Sequence, residues 1–232
     1  MLIILCSLIH FSFMTATPPV LFVSLRKYCE SLPGEFSQIP ESRKESLHEI
    51  GDFIARKIKA GETAHLTYIC THNSRRSQFG QAWAKAAAAW YGLADAQVQT
   101  WSGGTEATAF NIRAVAALQR AGFAVSDNKD AQNPRYSVTL SDSYQPLTMF
   151  SKVYSDPAVN PARGYCALMV CTSADEACPI VLGAEERVSL PYEDPKNSDG
   201  KPGEIKAYDQ TCRLIARETF YIFDYVAKQS KN

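Results

Sequence analysis

The feature that most constrains this chain is a change of period at residue 65. From there short apolar runs alternate with helical patterns. Residues 65–69 (HLTYI) read as a buried-type strand, followed by a helix to about Gly92 with Phe79, Trp83, Ala87 and Trp90 on one face. Residues 98–101 make a second strand, ending in the turn Ser102, Gly103, Gly104. A helix over 109–121, with Ile112, Val115 and Leu118 inward, closes at Gly122. Two more strands fall at 167–171 (ALMVC) and 187–190, and a helix over 204–228 finishes the chain. Strands alternating with helices predict an α/β fold: a mostly parallel sheet with helices on both faces and ligands at the carboxyl ends of its strands.

Upstream, residues 1–13 (MLIILCSLIHFSF) are apolar but too short to span a bilayer as a helix, and no Lys or Arg precedes them. Residues 1–20 therefore read as an apolar leader or a mis-assigned start rather than a secretory signal. No later run is long and apolar enough for a transmembrane helix. Residues 21–62 read as an N-terminal helical extension. Its main helix, over 40–61, carries Leu47, Ile50, Ile54 and Ile58 at helical spacing, with Ser42 and Glu45 as a capping box. The main α/β domain is assigned to 63–232, with an alternating β-hairpin insertion over 134–154 that turns near Asp142 and Ser143.

Between the first strand and its helix lies Cys70-Thr-His-Asn-Ser-Arg-Arg-Ser77, a Cys-x5-Arg-Ser loop. Main-chain N–H groups of such a loop converge into a nest for a tetrahedral oxyanion, and the following helix points its positive end there. The same field favours a thiolate at Cys70. Arg76 supplies a planar fork for two oxyanion oxygens, and Ser77 can donate to the sulfur. Asn73 tolerates the left-handed backbone that such a loop requires. Thr71, His72, Asn73, Ser74, Arg75, Arg76 and Ser77 are the expected oxyanion-binding residues. The formal balance of 24 basic and 24 acidic residues argues against nucleic acid or an anionic membrane as partner. A small oxyanion needs no basic surface.

Residues 69–78 resemble the anion loop of the low-molecular-weight protein tyrosine phosphatase superfamily, and more closely that of its thioredoxin-coupled arsenate reductases. The resemblance covers roughly residues 64–226. It continues at 101–106 (WSGGTE), at 169–179 (MVCTSADEACP), and at 190–195 (LPYEDP), which is similar to the family's Asp-Pro loop. It implies a flavodoxin-like fold with a four-stranded parallel sheet. It also implies a relay in which Cys70 attacks arsenate, Asp194 protonates the departing oxygen, Cys171 displaces arsenite and Cys178 resolves the disulfide. A thioredoxin-like reductant and a cytoplasmic setting follow from the same resemblance. The alternative is a phosphatase acting on phosphotyrosine or a small phosphoester, with Cys70, Arg76 and Asp194 alone and no use for Cys171 or Cys178. A third reading is an oxyanion-binding or redox-sensing module without turnover.

The sequence departs from the family in several places. His72 stands where Gly is usual, and Arg75 where Cys is common, which adds charge beside the loop. Gln81 stands where some reductases carry an acid linked to potassium, so no metal and no cofactor are expected. Of the seven cysteines, Cys29, Cys166 and Cys212 read as core or incidental thiols, and Cys6 belongs to the leader. Cys171 as a core residue with Cys178 a spectator, and Asp194-Pro195 as a plain surface turn, remain open at this level. A seven-residue connection from Cys171 to Cys178 reads as a mobile loop.

Overall fold

The computed structural model describes residues 21–127 and 132–229 of the 232-residue chain. The leader expected over 1–20 lies outside the described residues. In chain order come α1 (Val23–Ser31), α2 (Glu41–Lys59), β1 (Ala64–Cys70), α3 (Arg76–Trp90), β2 (Val98–Gly104) and α4 (Ile112–Ala121). Then follow β3 (Ala124–Asp127), β4 (Tyr136–Thr139), β5 (Leu147–Met149), β6 (Tyr165–Met169), α5 (Thr172–Ala177), β7 (Ala184–Ser189) and α6 (Glu204–Gln229).

The alternation becomes a four-stranded sheet in the order β2-β1-β6-β7, with every pairing parallel. This is the flavodoxin-like order, with the first strand of the sheet second in space. The order reverses direction between β1 and β6, whose register aligns Ile69 with Met169. Such a switch point opens a crevice at the strands' carboxyl ends, and Cys70 and Cys171 sit on its two sides.

The expected hairpin forms as β4 and β5, but it does not stand alone. It adds to β3 in a three-stranded antiparallel sheet, β3-β4-β5, with β4 paired on both sides. The chain leaving β5 runs back beside β2, where Gly104 bridges Val153.

Packing explains where the helices differ from expectation. Every residue of α3 from Ser77 to Ala89 is buried, not one face, since α3 packs on β1 and β2 and is itself covered by α6. Its alanines permit that closeness, and Gly80 requires it: a Cβ there would stand 2.1 Å from the Tyr68 ring. Trp83 stacks on Tyr28 at 5.0 Å and meets Phe123 edge-on at 4.9 Å, tying α1 and α4 into the same core. Truncating such a ring costs about 3–5 kcal/mol.

Two helix starts are corrected. The capping box at Ser42 does not form: α2 begins at Glu41, one residue earlier, and carries no side-chain cap. Pro40 fixes the entry, its carbonyl accepting from the N–H groups of Arg43 and Lys44. The helix expected from 109 starts at Ile112, because the Asn111 side chain caps the N–H of Arg113. Ile112, expected inward, is 60% exposed. No helix among the described residues is long and apolar enough to cross a membrane.

Candidate active site

The loop from Cys70 to Arg76 leaves the carboxyl end of β1 and enters α3 without a side-chain cap. Its carbonyls all face outward and are satisfied there. That of Thr71 accepts from the N–H of Glu106 (2.8 Å) and the hydroxyl of Thr105 (3.2 Å). That of His72 accepts from Ser151 Oγ (2.8 Å) and Thr108 Oγ1 (3.3 Å). Gln78 Nε2 donates to the Asn73 carbonyl (2.8 Å), and Asn111 N to that of Ser74 (3.0 Å). A peptide whose C=O points out points its N–H in. The N–H groups of residues 72–75 therefore turn toward the loop's centre, and none donates to another described protein group. Convergent main-chain N–H groups of this kind are what an oxyanion nest requires.

Asn73 sets the curvature. It is the one non-glycine residue with positive φ among those described (46°), and it is fully buried. The main-chain N–H of Lys152 donates to Asn73 Oδ1 (2.9 Å), so the amide nitrogen faces Ser77 Oγ (2.8 Å). Ser77 Oγ accepts from Asn73 and lies 3.1 Å from Cys70 Sγ, to which it can donate when the sulfur is a thiolate. Gly104 makes room for this turn: a Cβ there would lie 2.6 Å from the Thr71 carbonyl and 2.7 Å from Asn73 N.

Two arginines follow, and they diverge. Arg76 donates through Nη1 to the Tyr192 carbonyl (2.9 Å) and through Nη2 to Asp194 Oδ2 (2.5 Å), while its buried Nε has no partner. The Arg75 guanidinium, expected to add charge at the anion site, instead binds Tyr208 (2.7 Å) and Asp199 (3.2 Å). Only its main chain belongs to the nest. The His72 ring faces Glu106, with Nε2 3.8 Å from the carboxylate, and Ser74 Oγ donates to the Ala109 carbonyl (2.7 Å). Gln81 uses its side chain on the Thr100 carbonyl and Ser102 Oγ.

Asp194 heads the 3-10 turn Pro195–Ser198, accepting from the N–H of Lys196 (3.0 Å) while it meets Arg76. The loop that carries it is anchored from α2: Arg43 donates to the Pro191 carbonyl (3.1 Å) and pairs with buried Glu218 (3.0 Å). Arg43, Ser151 and Lys152 are site-supporting residues that sequence reasoning missed. No local motif marks them, since each acts across a long sequence separation.

The strand expected over 167–171 ends at Met169, and Cys171 instead caps α5, accepting from the N–H of Ala174 (3.4 Å). Its sulfur also lies 3.4 Å from Thr71 Oγ1, beside the residue that follows Cys70. The connection to Cys178, expected as a loop, is helical, with Cys178 at its C-terminal end. Arg187 fastens that end, donating to the carbonyls of Cys178 (3.0 Å) and Asp175 (2.8 Å) and to the Asp175 carboxylate (2.5 Å). The six described cysteines are all free thiols. Burial pushes the thiols of Cys29 and Cys212 up to about 12, and that of Cys166 higher still, which disfavours their thiolates.

No family model matches the chain. It is similar to arsenate reductase 2 of Staphylococcus epidermidis, 27% identical over 135 residues, or 58% of this chain and 79% of that protein. It is similar also to the arsenate reductase of Bacillus licheniformis, 26% identical over 146 residues, 63% of this chain and 84% of that one. A low-molecular-weight protein tyrosine phosphatase from Bacillus subtilis is 17% identical, covering 72% of this chain and 99% of its own, with a TM-score of 0.47. A thioredoxin-dependent arsenate reductase from Corynebacterium glutamicum is 17% identical, covering 87% of this chain and 84% of its own, with a TM-score of 0.40. The sequence similarities support the relationship read from the loop and from residues 169–179.

Proposed function

We propose that this chain, a relative of arsenate reductases in the low-molecular-weight phosphatase superfamily, reduces arsenate to arsenite through Cys70, Cys171 and Cys178. The observation that carries this reading is the placement of Cys171, whose sulfur touches Thr71 at the mouth of the nest. A phosphatase would have no use for a thiol there.

Arsenate enters the nest by replacing Asp194 and the Tyr192 carbonyl on the Arg76 fork, with the unpartnered Nε as a further donor. Cys70 thiolate forms an S–As bond, and a hydroxyl leaves as water with a proton from Asp194. Cys171 thiolate then attacks Cys70 Sγ. The S–As electron pair stays on arsenic, giving arsenite and a Cys70–Cys171 disulfide. Cys178 attacks Cys171 and frees Cys70, leaving Cys171–Cys178 for an external dithiol such as a thioredoxin-like protein.

The last step needs a movement. Seven residues of helix span about 10 Å, whereas disulfide-bonded Cα atoms lie roughly 4.4–6.8 Å apart. Helix α5 must therefore unwind for Cys178 to reach Cys171, and the Arg187 contacts are what it must release. A cycle through three free thiols requires a reducing compartment, which favours the cytoplasm.

A second reading, hydrolysis of a phosphoester through a cysteinyl-phosphate, uses the same nest and is favoured by the Asp194–Arg76 contact. Arsenite formation with a thioredoxin system and aryl-phosphate hydrolysis, measured for wild type, Cys70→Ser, Cys171→Ser and Cys178→Ser, separate the two. The relay predicts that arsenite turnover falls to background in all three variants. Undiminished arsenite turnover in Cys171→Ser refutes the relay. Aryl-phosphate hydrolysis without arsenite formation favours the phosphatase.

A further inference from the structure

We propose that the cleft between α3, β2 and the β3-β4-β5 sheet is a second binding site, for a small organic carboxylate that pairs with the Lys152 ammonium. The cleft has a volume of about 440 Å³, within the range of small-molecule sites. It is separate from the oxyanion nest and does not depend on which chemistry the nest performs.

Lys152 carries the argument. It lines the cleft, is only 5% exposed, and has no carboxylate within reach among the described residues. Its ammonium touches Ser102 Oγ at 3.4 Å and lies 5.1 Å from the centre of the Phe150 ring. Ser102 accepts this contact because its own proton goes to Gln81 Oε1 (2.6 Å). The remaining ammonium protons have no acceptor. An unpaired buried ammonium is costly, and an anion is its natural complement.

The rest of the lining agrees. Asp95, the single acid there, is engaged by Lys85. The Arg135 guanidinium, itself partnered, lies over the same Phe150 ring at 4.1 Å. Burial and the Arg135 charge push the Lys152 ammonium down to about 8, a group poised to gain from an anion. Thr100 also lines the cleft. Trp101, Leu147 and Phe150 offer apolar surface for the body of the ligand. A carboxylate at Lys152, with a flat apolar group against these side chains, fits this lining.

Benzoate is the probe, titrated into the full chain while tryptophan fluorescence (Trp101 lines the cleft) and the thermal midpoint are followed. Saturable binding is expected in wild type and in Arg76→Ala, which disables the nest, with acetate binding at least tenfold more weakly. Lys152→Met is expected to lose benzoate affinity at least tenfold. Lys152→Gln, which keeps a polar side chain of similar length, must lose it as well, so collapse of the cleft cannot explain the result. No saturable benzoate binding, unchanged affinity in both Lys152 variants, or loss in Arg76→Ala alone overturns the proposal.

Discussion

Asn73 shows how much of this site hangs on one residue. Its left-handed backbone turns the loop, its amide donates to Ser77, and Ser77 in turn hydrogen-bonds with Cys70. Asn73→Ala should lower stability by about 1–2 kcal/mol, the usual cost of a Cβ in that conformation without the compensating amide. It should also reduce turnover by roughly 100-fold, the low end of what a positioned acid–base group contributes. Thermal unfolding and initial rates check the two separately. Lys152 makes a pH-dependent prediction. The folded ammonium loses its proton near pH 8, whereas the unfolded chain holds that proton to about 10.5. Between those values the unfolded state binds more protons, so the stability of wild type should rise with pH relative to Lys152→Met, by on the order of 2–3 kcal/mol. Denaturant midpoints for both proteins from pH 7 to 9.5 provide the test. Cys70, Asn73, Arg76 and Ser77 were legible in the sequence because they share one short motif whose parts have local reasons. Arg75 was misread for the opposite reason: charge does not reveal direction, and its partners Asp199 and Tyr208 lie far along the chain.

At the scale of elements, α5 is the part most open to change. It has six residues, too few to persist without outside contacts, and Arg187 from β7 supplies them. Arg187→Ala should loosen the helix, so that Cys171, 1% exposed in the intact fold, reacts with iodoacetamide about tenfold faster. Peptide mass spectrometry after timed alkylation reads this directly, with Cys29, Cys166 and Cys212 as protected internal controls. Sequence periodicity saw a connection here and not a helix, since six residues carry less than two turns of pattern. The same limit explains Ser42 and Ile112: propensity located both helices, but Pro40 and Asn111 set where they start. The central strands β1 and β6 were easier to read, because each is buried along nearly its whole length and bounded by turns.

At the scale of the molecule, α2 and the segment that follows β5 both reach the loops of the candidate site. Arg43 on α2 joins Glu218 on α6 to the carbonyl of Pro191, and so sets the loop bearing Asp194. Segment 150–154 holds the outer side of the oxyanion loop through Ser151 and Lys152. Neither role was legible in the sequence, where both segments looked like additions to a smaller fold. Arg43→Ala leaves Glu218, with its side chain 4% exposed, without its cation, and should destabilise the protein by about 3 kcal/mol. Arg43→Ala with Glu218→Gln should recover part of that loss, and chemical denaturation of the single and double variants measures it.

The thiol relay is tested most directly by a single turnover without reductant. Reduced protein is mixed with one equivalent of arsenate, quenched in acid, and its disulfides are mapped by peptide mass spectrometry. Stoichiometric arsenite with a Cys171–Cys178 disulfide in wild type, and a trapped Cys70–Cys171 disulfide in Cys178→Ser, is the predicted result. Arsenite released while Cys171 and Cys178 both remain thiols would contradict it.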